Sequence, residues 1–200
     1  AFTFASALNE KVIKPETEFL DLPKSINCAG FPIREYDEKL PKNLTAEQIL
    51  VRSGNIGSVR IAQKVGQKKF KSFLEQIGVI GEINFDIDEI AVYEDFSMGK
   101  CKLATASFGH GVTTTLLQLA KGYSIISNGG YDVNPKLILS ESKEKEQKKL
   151  ILNKGVSEKI VKILRKIVTD KEGTAGLANI NGYEIAGKTG TAEQVIDGQY

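Results

Sequence analysis

Several residue types are scarce in this 200-residue chain, and each scarcity narrows what the protein can do. It has no tryptophan, one histidine and two cysteines, which leaves too few clustered soft ligands for a zinc site. Lys and Arg total 27 against 25 Asp and Glu, so the net charge of +2 gives no support to nucleic-acid or membrane-surface binding. No apolar run approaches the roughly 20 residues of a membrane span.

The two cysteines, Cys28 and Cys101, lie far apart and show no C-x-x-C spacing. Their isolation favours two separate buried thiols, although a disulfide stays open in an oxidising compartment. The N-terminus has neither a basic start nor a cleavage site typical of a signal peptide. If the protein is exported, we expect its export signal to lie outside these residues.

The remaining composition, 41% hydrophobic and 26% charged, is that of one globular domain. Thr45 and Gln48 form a capping-box pattern at the start of a helix. Apolar spacing predicts further helices over 2–13, 56–65, 70–77, 113–128 and from a cap at Ser157 to 168. We predict short extended pieces within 16–34, strands over 135–139 and 183–196, and loops with short strands over 86–102.

The segment Lys188-Thr189-Gly190-Thr191 is the most informative tetrapeptide, and it lies within the longer AGKTGTAEQ. On a strand edge, the lysine cation can hold a substrate carboxylate and bias the proton equilibria of nearby hydroxyls. Gly190 lets an extended peptide lie against the strand. The Thr191 hydroxyl can bind the same carboxylate, while its amide can point at a developing oxyanion. Taken alone, K-T-G could equally be a surface turn without a catalytic role.

A second element, Ser53-Gly54-Asn55, lies where one predicted helix ends and the next begins. The serine hydroxyl can relay a proton to a leaving amine, and the asparagine amide can both donate to and accept from a peptide backbone. As an isolated S-x-N it would more simply be a helix cap pair, so its value depends on the K-T-G further along the chain.

The ordered pair S-x-N and K-T-G resembles the serine penicillin-recognising enzymes, whose set is S-x-x-K, S-x-N and K-T-G. Three stretches bring the chain closest to the class B penicillin-binding proteins, especially the septal transpeptidases of cell division: SGNIGSVRIAQKVG at 53–66, ASFGHGVTTTLLQLAKGYSIISNGG at 106–130 and GYEIAGKTGTAEQ at 182–194. The resemblance spans essentially the whole chain.

The resemblance implies an α/β (α+β) fold of the penicillin-binding/β-lactamase type, with helices packed on a mostly antiparallel sheet. Residues 1–200 are then expected to be a partial transpeptidase domain, incomplete at both ends. In the family the nucleophile motif opens a buried helix that continues much like AFTFASALNE. Ala1 therefore corresponds to the position directly after the motif lysine. The nucleophilic serine and its base lysine are expected just before it, and further strands beyond Tyr200.

The resemblance also assigns roles to residues of this chain. Ser53 would relay protons, Asn55 would hold the donor peptide, and Lys188 would supply positive charge. Thr189 and Thr191 would bind the carboxylate, and the Thr191 amide would complete the oxyanion hole. No metal or organic cofactor is expected.

Other serines could serve as the nucleophile only in a poorer setting. Three S-x-x-K matches begin at Ser97, Ser140 and Ser142. The last two lie in the charge run 141–149 or at its edge, where an exposed lysine keeps its ordinary pKa and is a poor base. The first follows no helical stripe, although the motif needs a helical turn. A Ser-His-Asp triad would require His110, whose two glycine neighbours favour a loop role without catalysis.

The implied function is peptidoglycan D,D-transpeptidation, cross-linking stem peptides through a serine acyl-enzyme that β-lactams trap. The implied partners are D-Ala-D-Ala stem peptides, β-lactams and division-complex proteins. The implied location is the periplasmic side of the bacterial inner membrane, with an anchor outside this chain. Two alternatives stay open: a non-catalytic module that binds wall peptides or division proteins, and a β-lactamase or penicillin sensor.

Overall fold

The computed structural model describes residues 1–86, 99–138 and 149–190, which fold into helices with a few short strands. The helices are α1 (Phe2–Asn9), α2 (Ala46–Val51), α3 (Asn55–Val65), α4 (Gln67–Gln76), α5 (Lys100–Ser107), α6 (Leu116–Ser127) and α7 (Lys154–Thr169), followed by a 3-10 turn at Gly176–Ala178. The strands are β1 (Glu18–Phe19), β2 (Ser25–Cys28), β3 (Phe31–Arg34) and β4 (Leu44–Thr45).

The strands form two antiparallel pairs. β1 pairs with β4, and β2 pairs with β3 as a hairpin in which Ser25 faces Arg34 and Cys28 faces Phe31. The mixed helical and antiparallel architecture agrees with the expected fold class. Within the described ranges, however, each sheet has only two strands.

The core is built around α1, in which six consecutive residues, 3–8, are all buried. A helix buried on every side must lie at the centre of its domain. α1 packs against α3, α4 and α7, while α5 packs against α3. The predicted extension of α1 to residue 13 is wrong: the helix ends at Asn9, and Lys11 adopts a positive φ of 57°.

Helix starts follow the predicted capping chemistry at α2. The Thr45 side chain accepts from the Gln48 amide, and the Gln48 side chain accepts from the Thr45 amide. The same reciprocal pair, Thr115 and Gln118, begins α6. The prediction that Ser157 caps a helix is wrong, because α7 begins at Lys154 and Ser157 lies inside it. The Ser157 hydroxyl instead donates to the Ile126 carbonyl of α6.

The strands predicted in the second half of the chain are not found in the described residues. Residues 183–190 form no strand within the described residues; the Tyr183 amide donates to Ile180 and the Gly187 amide to Leu164 of α7, while residues 191–196 lie outside the described residues. Residues 135–138 are also irregular. Of the segment 86–102, residues 100–102 begin helix α5 rather than a loop, and most of the rest lies outside the described residues.

The prediction of two isolated buried thiols is wrong. Cys28 at the end of β2 and Cys101 in α5 form a disulfide, with Cα atoms 5.5 Å apart and a separation of 73 positions in sequence. Both cysteines are only half-buried. Pairing across so long a loop depends on tertiary packing, which spacing along the sequence does not reveal.

Across the described residues, no helix combines the length and apolar character that crossing a bilayer demands.

Candidate active site

Ser53 occupies a strained backbone position at the junction of α2 and α3. Its φ of 60° lies in the left-handed region, where glycine or asparagine is the usual residue. The Ser53 and Gly54 amides donate back to carbonyls of α2, at 3.3 and 2.8 Å, so the turn closes α2 before α3 begins. A non-glycine residue costs about 1–2 kcal/mol in this conformation, so Ser53 lowers the stability of the turn relative to glycine.

Asn55, the first residue of α3, is held on two sides. Its side-chain amide donates to the Arg34 carbonyl at 2.9 Å, and its backbone amide donates to a Glu35 carboxylate oxygen at 2.6 Å. The other Glu35 oxygen accepts from the Ile56 amide at 2.9 Å. Burial raises the pKa of Glu35, while these amides and the charge of Lys24 oppose the rise.

The residues that lead into the K-T-G segment are bonded to α7, which brings the segment close to Ser53. The Gly187 amide donates to the Leu164 carbonyl at 3.2 Å, and Arg165 donates to the Ile185 carbonyl at 2.8 Å. These bonds fix residues 185–187 against α7, whose apolar face is buried. The side chain that follows, Lys188, is therefore directed from a rigid support.

Lys188 contacts Ser53 directly, although 135 residues separate them in sequence. Its ammonium donates to the Ser53 hydroxyl oxygen at 2.7 Å, and also lies 3.1 Å from both the carbonyl and the hydroxyl oxygen of Thr189. Burial lowers the pKa of Lys188. The structure thus brings the two sequence motifs into contact.

The rest of the K-T-G segment faces open space. Thr189 is exposed, and its hydroxyl lies 2.9 Å from that of Thr174 in the loop after α7. Among the described residues outside its immediate neighbours, no atom lies within 4 Å of the position a Cβ would take on Gly190, so this side of the backbone is open to another chain. Thr191 lies outside the described residues.

The start of α1 lies close to Lys188, since the charge of Lys188 acts on the nitrogen of Ala1. The start of α1, Ser53 and Lys188 therefore converge from three distant parts of the chain.

Sequence reasoning missed the residues that support the two motifs. Glu35 was not singled out, nor was Arg52, which bonds Glu172 at 3.0 Å and so links the end of α2 to the loop carrying Thr174. Glu47 of α2 and Lys166 of α7 make a second link. Such pairs join residues more than 100 positions apart, and single charges in sequence give no signal of them.

The alternative nucleophiles gain nothing from the structure. Ser97, Ser140 and Ser142 lie outside the described residues. His110 lies in the loop between α5 and α6, with its ring centroid 5.7 Å from that of Phe108. Among the described residues, no group of three His, Cys, Asp or Glu side chains could hold a metal ion.

Solved structures share this fold. The apo TP domain of penicillin-binding protein 3 from Burkholderia pseudomallei matches with a TM-score of 0.85 at 22% identity, over 100% of this chain and 60% of that one. The D,D-transpeptidase domain of a peptidoglycan glycosyltransferase from Eggerthella lenta matches with a TM-score of 0.79 at 24% identity, over 97% and 52%. The fold class is that of transpeptidase domains.

Residues 1–200 match the penicillin binding protein transpeptidase domain, and the chain belongs to this family. Similar curated proteins include PbpB of Mycolicibacterium smegmatis, 27% identical over 96% of this chain and 32% of its own length. The probable peptidoglycan D,D-transpeptidase PenA of Neisseria flavescens is 27% identical over 100% of this chain and 49% of its own length. The chain spans about half or less of these relatives.

Proposed function

We propose that this chain forms part of a peptidoglycan D,D-transpeptidase that cross-links stem peptides during septal wall synthesis and is acylated by β-lactams. The observation that carries the proposal is the 2.7 Å bond between the Lys188 ammonium and the Ser53 hydroxyl. That contact unites the S-x-N and K-T-G motifs at one site of a transpeptidase fold.

The nucleophile in this proposal is a serine three residues before a lysine, with that lysine directly ahead of Ala1. The closeness of the Ala1 nitrogen to Lys188 supports this location. The serine oxygen forms a bond to the carbonyl carbon of the penultimate D-alanine while the peptide C–N bond breaks. The serine proton passes to the departing D-alanine amine.

The acyl-enzyme is then resolved by the reverse exchange. An amine of a neighbouring stem attacks the acyl carbon, the C–O bond to the serine breaks, and a proton returns to the serine oxygen. Splitting the exchange into two substitutions replaces one difficult step by two easier ones.

Ser53 is well placed to carry the proton. Because its oxygen accepts a hydrogen bond from Lys188, its own hydrogen is turned away from the ammonium and is free to be donated to another group. A departing amine there can take that hydrogen while the nucleophile's proton moves to the Ser53 oxygen. Relays of this kind contribute about 10²–10⁴-fold in rate.

The substrate would be held by the remaining motif residues. The Asn55 side-chain nitrogen is already bonded to Arg34, which leaves its oxygen to accept an amide of the donor peptide. Lys188, Thr189 and Thr191 would bind the terminal carboxylate, with the Thr191 amide facing the oxyanion. The open backbone at Gly190 would receive the extended peptide.

The setting of the whole protein is part of the same proposal. An enzyme that acts on wall peptides works outside the cytoplasm, so we place it on the periplasmic side of the inner membrane, anchored by a segment other than those described here. Division-complex proteins are the partners expected for a septal enzyme.

The test is acylation of the purified full-length protein by a fluorescent penicillin. We expect a stable covalent adduct, a loss of at least about 100-fold in acylation rate for Lys188→Ala, and no change for the exposed control Lys171→Ala. No adduct in the wild-type protein would refute the transpeptidase and leave the peptide-binding module. Rapid turnover of the penicillin would instead identify a β-lactamase.

A further inference from the structure

The hairpin formed by β2 and β3 ends beside the S-x-N motif, and its last residues contact the motif directly. Glu35 follows β3, and its two carboxylate oxygens accept from the Asn55 and Ile56 amides at 2.6 and 2.9 Å. The first amides of a helix have no partner within the helix, and a carboxylate there bonds them with charge assistance. Glu35 therefore fixes where α3 begins.

The neighbouring residue fixes the Asn55 side chain. The Arg34 carbonyl accepts from the Asn55 side-chain nitrogen at 2.9 Å, so the amide plane has one orientation and its oxygen is directed away from the hairpin. Two consecutive residues of one segment thus set both the backbone and the side chain of Asn55.

The segment that carries Glu35 is itself anchored. At the other end of the hairpin, Cys28 is joined to Cys101 of helix α5 by the disulfide. Beyond Glu35, the Lys24 ammonium donates to the Glu38 and Leu40 carbonyls at 2.6 and 2.9 Å. A carboxylate on a support tied at both ends can hold its partners more precisely than one on a loose loop.

We propose that Glu35 is a positioning residue for acyl transfer, acting through the start of α3 on Asn55. The inference rests on the proposed function, since Asn55 matters only if it holds the donor peptide. Glu35 does not reach the substrate in this arrangement. Its role is to hold the Asn55 side-chain oxygen in the position and orientation that the extended peptide requires. A shift of that oxygen by about 1 Å would lower the acylation rate substantially.

The test is the second-order rate of acylation by fluorescent penicillin, measured on folded full-length protein. We expect Glu35→Ala to lower the rate about tenfold or more, and Glu35→Gln, which keeps one acceptor oxygen, to fall between it and the wild type. Glu38→Ala is the matched control: the side chain is exposed in the same segment, and the substitution keeps the carbonyl that Lys24 contacts. Its rate should equal that of the wild type.

A double-mutant cycle with Asn55→Ala separates positioning from general stability. If Glu35 acts through Asn55, adding Glu35→Gln to Asn55→Ala lowers the rate by less than twofold further. The proposal would be overturned if the rate losses of Glu35→Gln and Asn55→Ala multiplied in the double variant. It would also be overturned if the Glu35 variants acylated within twofold of the wild type. Should Glu35→Ala fail to fold, the Gln variant and the cycle decide. Absence of labelling in the wild type would refute the transpeptidase itself, a different result.

Discussion

Replacing Ser53 separately by glycine and by alanine separates the role of its hydroxyl in acylation from the effect of its strained backbone on stability. Both variants lose the hydroxyl that accepts from Lys188, so both lose the same hydrogen bond. They differ only in backbone preference at a φ of 60°. Alanine keeps the left-handed strain of about 1–2 kcal/mol, whereas glycine removes it.

The magnitude of the difference follows from two opposing terms. Glycine relieves the backbone strain, which raises the free energy of unfolding. It also makes the unfolded chain more flexible, which lowers the free energy of unfolding by about 0.5–1 kcal/mol. We therefore expect the free energy of unfolding of Ser53→Gly to exceed that of Ser53→Ala by about 0.5–1 kcal/mol. Acylation by penicillin should fall by about 100-fold or more in both, because the proton relay needs the hydroxyl.

The assay is urea unfolding of the full-length protein together with its acylation rate by fluorescent penicillin. Variants that differ in stability but share the same loss of rate support the assignment. If the glycine variant acylates faster than the alanine variant in proportion to its stability, activity follows folding and the relay is wrong. An unchanged rate in both variants would also contradict it.

Three further predictions concern stability. Reducing the Cys28–Cys101 disulfide, which closes 73 residues, should lower the free energy of unfolding by about 4 kcal/mol, and the double serine variant should not respond to reductant. Ser6→Ala should raise the free energy of unfolding by about 1 kcal/mol in urea titrations, because the buried Ser6 hydroxyl has no hydrogen-bond partner in the part of the chain that the structure describes; a loss of stability would contradict this. The Gly130→Ala variant should unfold at far lower urea than the Gly129→Ala variant. Both glycines have positive φ, but a Cβ on Gly130 would lie 2.1 Å from a backbone oxygen. Equal losses of stability in the two variants would refute the reasoning.

Local chemistry in the sequence predicted much of the helical framework. The capping box at Thr45 and the apolar spacing of 56–65 correspond to α2 and α3, since these signals act within a few residues. Predictions that depended on a distant partner were less complete. Residues 183–190 have strand composition, but no strand lies beside them within the described residues. The two cysteines pair because of packing that their spacing in sequence does not encode.

The candidate site divides in the same way. The two motifs could be recognised from residue order, and the structure brings Ser53 and Lys188 into contact. The supports of the motifs, Glu35 and Arg52, could not be found from the sequence. A single glutamate or arginine resembles any solvated charge, and only the folded chain shows which amides or carboxylates it meets.

The most direct test of the central claim is the site of the covalent adduct. The full-length protein would be acylated with penicillin, digested, and mapped by mass spectrometry. We predict the penicilloyl group on a serine three residues before a lysine, in the peptide that leads into Ala1. An adduct on Ser53, on any serine of the S-x-x-K matches at Ser97, Ser140 or Ser142, or on no residue at all would contradict the account.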